Sequence, residues 1–292
     1  MPPTVADALV EALPYVQHLA GEVVVVKYGG AAMAAADLSD AVMQDVVLLS
    51  AVGARVVLCH GGGPEVSAMG RRLGLPARFI DGLRVTDAET MRVAQQVQIG
   101  GVSRDVLAGI SRHGGKAIGL SDHDCGGWLR GALRQHTDAQ TGAPVDLGRV
   151  GDITSVDASV LHQLFDAGLL PVVSPVAVDD EMASLNVNAD SVATAVAGAL
   201  SARRLVFLTD VEGIRGPDGA AAPAVSAATL RAWMADGTVA GGMIPKAQAC
   251  LDALEAGVDA VTVADGRVPH ALLMELLTDA GVGTQIRRSA AP

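Results

Sequence analysis

The sequence predicts an α/β protein, a three-layer αβα sandwich around a mostly parallel central sheet. Short β-branched runs such as Val23–Val26 alternate with helix-period segments, as units of strand, crossover helix and parallel strand require. Half of the chain is hydrophobic while aromatics make up 2%, so any core is packed from small aliphatic side chains, which suits helices laid on a buried sheet. Two of the strand-like runs end in glycines, and in open parallel sheets ligands sit beyond the carboxyl ends of the strands.

Taken in order, residues 5–19 set Leu9, Leu13 and Val16 at helical spacing, and Pro14 should kink the helix they form. Residues 1–20 read as an appendage to a main domain over 21–292. Glu22–Lys27 is a strand buried on both faces, followed by Tyr28-Gly29-Gly30. A helix over Leu38–Ala51 leads to the strand 54–59 and then to His60-Gly61-Gly62-Gly63. Helical periods cover 65–73 and 87–110, Lys116–Leu120 is a short strand, and 126–150 has the polar, glycine-rich character of hairpins. Val156–Ala167 reads as a helix, Leu170–Val176 as a strand, and Asp190–Ala202 as a small-residue helix entered from Asn186-Val187-Asn188-Ala189. The strand Leu205–Leu208 ends in Thr209-Asp210-Val211-Glu212-Gly213, and residues 220–224 form a loop before a helix over 227–236. Pro245 opens a helix to Ala256 from its first turn, where its fixed φ is no burden. Strands over 260–263 and 283–286, with a helix over 269–277 between them, complete the plan.

Composition narrows the function. A net charge of −11 argues against a phosphate-backbone binder, and no uncharged run approaches the roughly 20 residues that span a bilayer. Cys59, Cys125 and Cys250 have no CxxC spacing, so neither a disulfide framework nor a thiolate metal site is expected. Pro2, Asp7 and Glu11 stand where a signal peptide needs basic residues, so a cytoplasmic protein is expected.

Glycines directly after a strand let backbone N–H groups approach an anion, and a helix beginning beyond them adds its dipole. Gly pairs also serve tight turns. Lys27 ends an apolar strand, where an ammonium either reaches solvent or meets an anion. Neither GxxxxGK[ST] nor GxGxxG is present, so the common nucleotide loops are set aside. His60 before the triple glycine reads as a hydrogen-bonded structural residue, and His113 and His123 as solvated loop residues.

The ordered elements VVVVKYGG, HGGGP, FIDGLRVTD, NVNAD, LTDVEGI and GGMIPK resemble the amino-acid kinase superfamily, most closely its acetylglutamate kinase branch, from about Val23 to Ile286. The resemblance implies the amino-acid kinase fold, with an acyl-acceptor lobe over about 21–180 and a nucleotide lobe over about 181–292. It implies transfer of the γ-phosphoryl group of ATP, carried with Mg2+ and without a protein-only metal site, to the γ-carboxylate of N-acetyl-L-glutamate. Lys27 and Lys246 would flank the moving group, Asp190 would hold both lysines, and Gly30, Gly62 and Gly63 would offer backbone donors. An N-cap is the other reading of Asp190. Arg84 would clamp the substrate's α-carboxylate and Asn186 would read its amide or carboxylate, although alone Arg84 reads as a surface residue. Thr209, Asp210, Val211, Gly213, Gly241, Gly242 and Met243 would line the nucleotide.

The run 12–17 and the segment 270–283 are similar to arginine-sensitive members of the family. This implies an arginine effector near Tyr15, His270 and Glu275, and a homo-hexamer joined through the N-terminal helix; a nitrogen-signalling protein of the PII type is a further possible partner. Many relatives carry Asn after KYGG where this chain has Ala31, and the loop usually written GLSGKD is Gly119-Leu120-Ser121-Asp122-His123-Asp124. Two other readings stand beside the kinase: a sister enzyme acting on another acyl acceptor, such as a carrier-linked aminoadipate, and a silent arginine-sensing domain. The presence of Lys27, Asp190 and Lys246 together weighs against the second.

Overall fold

A computed structural model describes residues 5–139, 141–279 and 281–289. Helix α1 (Val5–Leu19) leads into β1 (Val23–Tyr28), the short α2 (Ala31–Ala34), α3 (Ala36–Ala51), β2 (Arg55–His60) and α4 (Gly63–Arg72). A hairpin of β3 (Phe79–Ile80) and β4 (Leu83–Arg84) precedes α5 (Ala88–Val97), a π-helical turn (Gln98–Val102), α6 (Ser103–Arg112) and β5 (Ala117–Leu120). Then come β6 (Leu129–Leu133), the small hairpin β7–β8 (His136–Thr137, Pro144–Val145), β9 (Val150–Val156), α7 (Ala158–Asp166), β10 (Leu170–Val173), β11 (Val176–Val178) and β12 (Ser184–Val187). The chain closes with α8 (Ala189–Ala199), β13 (Arg204–Thr209), β14 (Ala224–Ser226), α9 (Ala227–Ala235), α10 (Met243–Glu255), β15 (Ala260–Asp265), α11 (Ala271–Leu277) and β16 (Gly283–Arg287).

The main sheet has the order β14-β16-β15-β13-β1-β2-β10-β5, and every neighbouring pair is parallel except β15 with β16. β1 lies in the middle, which explains its unbroken valines: both faces are covered. Val23 and Val25 enter the core built with α8 and α10, whereas Val24, Val26 and Tyr28 enter the one built with α3, α6 and α11. These are the three layers that the sequence predicts. β11, β12, β9 and β6 form a separate, closed four-stranded barrel.

Several local readings need correction. The region 126–150 holds strands as well as a hairpin, and β9 runs on to Val156, so the helix expected from Val156 begins at Ala158 with Asp157 as its cap. The strand expected over Leu170–Val176 breaks at Ser174 and Pro175, because its second half leaves the main sheet for the barrel. The helix expected over 87–110 is interrupted by the π turn, a residue of slack the hydrophobic period does not reveal. The loop expected over 220–224 gives way at Ala224 to the edge strand β14, which pairs with β16. α1 runs through Pro14 without a break; Pro14 and Val10 are exposed, so the carbonyl that loses its partner can meet water. Residues 1–4 of the predicted appendage lie outside the described residues.

Candidate active site

The parity of β1 decides where its last charged side chain goes. Lys27 shares a face with Val23 and Val25, so its ammonium reaches the layer of α8 and α10. α8 offers it Asp190 from its first turn, and α10 brings Lys246 to the same carboxylate. Lys27 Nζ lies 3.0 Å from Asp190 Oδ1, and Lys246 Nζ donates to Asp190 Oδ2 at 2.9 Å. The three side chains are only 14%, 15% and 21% exposed, in the order Lys27, Lys246, Asp190. Burial works to raise the Asp190 pKa, but the two ammonium charges outweigh it and hold the carboxyl below its ordinary value. Two cations and one anion leave a residual positive charge, and a sheltered site with that balance suits an anionic ligand. Lys246 Nζ also sits 5.3 Å from the centre of the Phe207 ring, within reach of a cation–π contact.

Asn188, not Asp190, caps α8: its Oδ1 accepts from Asp190 N at 2.7 Å and Ser191 N at 3.4 Å. The N-cap reading of Asp190 is therefore overturned, and its carboxylate is left for the lysines. A cleft of about 290 Å³ opens beside it, bordered by Lys27, Gly30, Gly62, Gly63, Arg84 and Asn186. Gly62 and Gly63 open α4, and helix geometry leaves first-turn N–H groups without partners inside the helix. A Cβ at Gly63 or Gly30 would meet nothing within 4 Å, so the space in front of both belongs to the cleft. A Cβ at Gly29 would fall 2.8 Å from Lys27 Nζ, so the glycine beside the lysine is what lets the ammonium fold back.

Arg84 is no free surface residue. Its Nη2 donates to Gly63 O at 2.8 Å and to Ser67 Oγ at 2.7 Å, and its guanidinium lies 4.8 Å from the Phe79 ring centre. It thereby pins the glycine loop while bordering the cleft. Asn186 Nδ2 donates to Thr86 Oγ1 at 3.1 Å, which fixes the amide on the barrel strand β12.

Comparison with known proteins supplies the lineage. The model of the amino acid kinase family matches residues 22–265, and an acetylglutamate kinase of Symbiobacterium thermophilum is 50% identical, covering 96% of this chain and 97% of that one. The chain belongs to the amino acid kinase family, on its acetylglutamate kinase branch. Among solved structures, N-acetylglutamate synthase from Neisseria gonorrhoeae, complexed with coenzyme A and N-acetyl-glutamate, superposes with a TM-score of 0.86 at 27% identity; the match covers 99% of this chain and 65% of the synthase. Carbamate kinase of Giardia, at 15% identity and TM-score 0.67 over 92% of this chain and 99% of that one, shares the fold.

For a member of this kinase family, the residues expected at the nucleotide are arranged differently from the charged centre. Thr209 is buried at the end of β13, its Oγ1 donating to Asp210 Oδ1 at 3.2 Å, while Asp210 itself is exposed. Gly241 and Gly242 are exposed just before α10, and Met243, its first residue, packs partly against the core, as does Val211. Gly213 has a packing reason of its own: a Cβ there would fall 2.5 Å from Thr284 Oγ1. None of these seven residues borders the cleft; Lys246, one turn into α10, joins the two regions.

The expected effector residues meet partners of their own. Tyr15 OH donates to Asp279 Oδ1, and His270 Nδ1 shares a hydrogen bond of 2.6 Å with the buried Asp45, whose pKa burial pushes up to about 6. His270 stands before α11 in a left-handed conformation. Burial raises the pKa of Glu275, on α11, against backbone hydrogen bonds from Gly283 and Val282, and its Oε1 has no partner among the described residues. Ala12, Tyr15 and Val16 of α1 pack on the domain, while Leu9 and Leu13 are 69% and 50% exposed. Of the histidines read as solvated loop residues, His113 is instead half-buried and bonded to Asp40 at 2.9 Å, whereas His123 is exposed in its loop, as expected, with Nε2 2.9 Å from Met182 O.

Three contributors escaped the sequence reading. Asn188 carried a legible signal, an Asn just before a helical period. Gly29 was seen only as part of a glycine pair. Gln98, in the π turn and bordering the cleft, is 4% exposed with an Oε1 that has no partner among the described residues, and no spacing rule points to it.

Proposed function

We propose that this chain transfers the γ-phosphoryl group of ATP to the γ-carboxylate of N-acetyl-L-glutamate, giving N-acetyl-L-glutamyl 5-phosphate. The observation that carries the reading is Asp190 clamped between Lys27 and Lys246 beside the glycine-lined cleft. The attacking carboxylate is already ionised at neutral pH, so no base is needed. What the reaction does need is in-line placement and neutralisation of charge on the moving phosphoryl oxygens. Lys27 and Lys246 would supply positive charge from two sides, Asp190 would hold both in place, and the N–H groups of Gly30, Gly62 and Gly63 would receive oxygens. Arg84 would pair with the α-carboxylate and Asn186 would read the acetamido end. In this division the acceptor lobe spans about 21–180 and the nucleotide lobe about 181–292, with Thr209–Gly213 and Gly241–Met243 around the nucleotide.

Among the described residues no three His, Cys, Asp or Glu side chains gather as a metal cage would need, which fits magnesium carried on the nucleotide phosphates. Bound there, it would neutralise phosphate charge, and the exposed Asp210 would be available to hold its water shell. The test is ADP release that depends on N-acetyl-L-glutamate, with hydroxylamine trapping the acyl phosphate; ADP release without hydroxamate would reject the reading.

Arginine inhibition belongs to the same proposal. Support comes from the unpartnered, buried Oε1 of Glu275, which offers an acceptor to a guanidinium, and from Leu9 and Leu13 on α1, an apolar stripe suited to a second subunit in a hexamer. Removing residues 1–20 should shrink the particle in light scattering and abolish inhibition; a truncated protein that keeps both properties would reject this part alone. No helix among the described residues is long and apolar enough to cross a membrane.

A further inference from the structure

His60 has no place in the proposed chemistry, yet it stands directly before the three glycines and is fully buried. Both ring nitrogens are engaged. Nδ1 lies 2.7 Å from Gly61 O, and Nε2 lies 3.1 Å from Ser174 Oγ. A carbonyl oxygen can only accept, so Nδ1 must carry the proton. In a neutral ring Nε2 is then an acceptor, and Ser174 must donate to it. Burial lowers the His60 pKa, in agreement with a neutral ring. Ser174 is itself fixed, since its N–H donates to Leu120 O at 2.9 Å where β5 and β10 end.

The consequence lies in the peptide unit between Gly61 and Gly62. Across a trans peptide the C=O and N–H groups point in opposite directions, and no cis bond occurs among the described residues. Holding Gly61 O down onto the buried imidazole therefore turns the Gly62 N–H the other way, to the side where Gly61, Gly62 and Gly63 border the cleft. Without such an anchor a run of three glycines would sample many conformations at little cost. Gly61 N–H, bonded to Tyr28 O at 2.8 Å, fixes the preceding peptide, so His60 controls the rotation that remains.

We infer that His60, with its tautomer set by Ser174, is a positioning residue that aims the Gly62 N–H at the reacting anion through its hold on the Gly61 carbonyl. The inference rests on the phosphotransfer reading, and it predicts which substitution the site tolerates. In His60→Asn the side-chain amide NH2 can stand where Nδ1–H stands, whereas in His60→Gln it reaches toward Ser174 instead. His60→Asn should keep kcat within about 3-fold of the parent. His60→Gln should lose about 10- to 100-fold in kcat, the scale of a misaimed backbone donor, with KM for ATP little changed.

Equal losses in the two variants, or full kcat in His60→Gln, would overturn the inference. Thermal unfolding should show both variants folded. If either is not, the tautomer itself decides: nitrogen-15 NMR of the parent protein should find His60 neutral with its proton on Nδ1, and a proton on Nε2 would overturn the assignment. Failure of the underlying reading looks different, since the parent protein would then release no ADP in the presence of N-acetyl-L-glutamate.

Discussion

Around Lys27 and Asp190 the side chains already hold one another, whereas the loops at 209–213 and 241–243 stand largely open. On the first side a carboxylate is shared by two lysines, Arg84 grips Gly63 O, and Asn188 closes the helix that delivers Asp190. On the second, Gly241 and Gly242 have nothing within 4 Å of a hypothetical Cβ, and Asp210 and Glu212 face solvent. The contrast fits the physics of the proposed reaction. Charges that must not move during phosphoryl transfer are preorganised by the fold, while a large, flexible nucleotide can complete its own binding surface on arrival.

Substitutions can break or sharpen that contrast. The largest effect is expected at the charged centre: Lys27→Ala or Lys246→Ala should lower kcat by about 10²-fold or more while KM values move little, because each removes roughly 3 kcal/mol of transition-state stabilisation. Steady-state kinetics with a near-normal kcat in either variant would remove that lysine from the chemistry.

Next comes Gly213→Ala, which tests whether the open side is open throughout. With φ at +149° and Thr284 in the way, the variant should lose about 2 kcal/mol of stability, read as a lower urea midpoint. An unchanged midpoint would mean that the loop yields and that Gly213 serves the nucleotide alone.

Arg84→Lys should raise KM for N-acetyl-L-glutamate about 10-fold and leave KM for ATP near its starting value, since a point charge cannot both pin Gly63 O and pair with a carboxylate. Equal increases for both substrates would place the arginine's main role in the glycine loop. The smallest effect is expected for Gly242→Ala, where φ is −64° and the surroundings are empty. Its stability should stay within about 0.5 kcal/mol of the parent, so any change in KM for ATP reports on the ligand directly.

The strands nearest the site were legible because each is apolar on both faces: β1, β2 and β13 appear in the sequence as runs that no amphipathic helix would carry. The charged triad was legible only through family resemblance. Lys27 and Lys246 are separated by most of the chain, and no local period says that α8 and α10 present their first turns to the end of β1. The four-stranded barrel was illegible for another reason: Gly131 and Gly151 give its strands the polar, broken texture of turns. In fact both glycines exist for packing, since a Cβ at either would press into the Leu185 side chain. Gln98 was hidden because a π turn shifts the helical phase without leaving a mark in composition. Asp190 could be read as a cap or as a clamp, and only the position of Asn188 decides between them.

The alternation of β1 between two cores has a further meaning for how this family can vary. Side chains of a strand switch faces at every residue, so the ammonium of Lys27 reaches Asp190 only because it lies an even number of steps from Val23 and Val25. Inserting one residue after Val24 would send the lysine into the aliphatic layer of α3 and α11, leaving Asp190 with one cation instead of two. Two inserted residues would restore the parity. Chain length ahead of Lys27 is thus quantised in pairs along this strand.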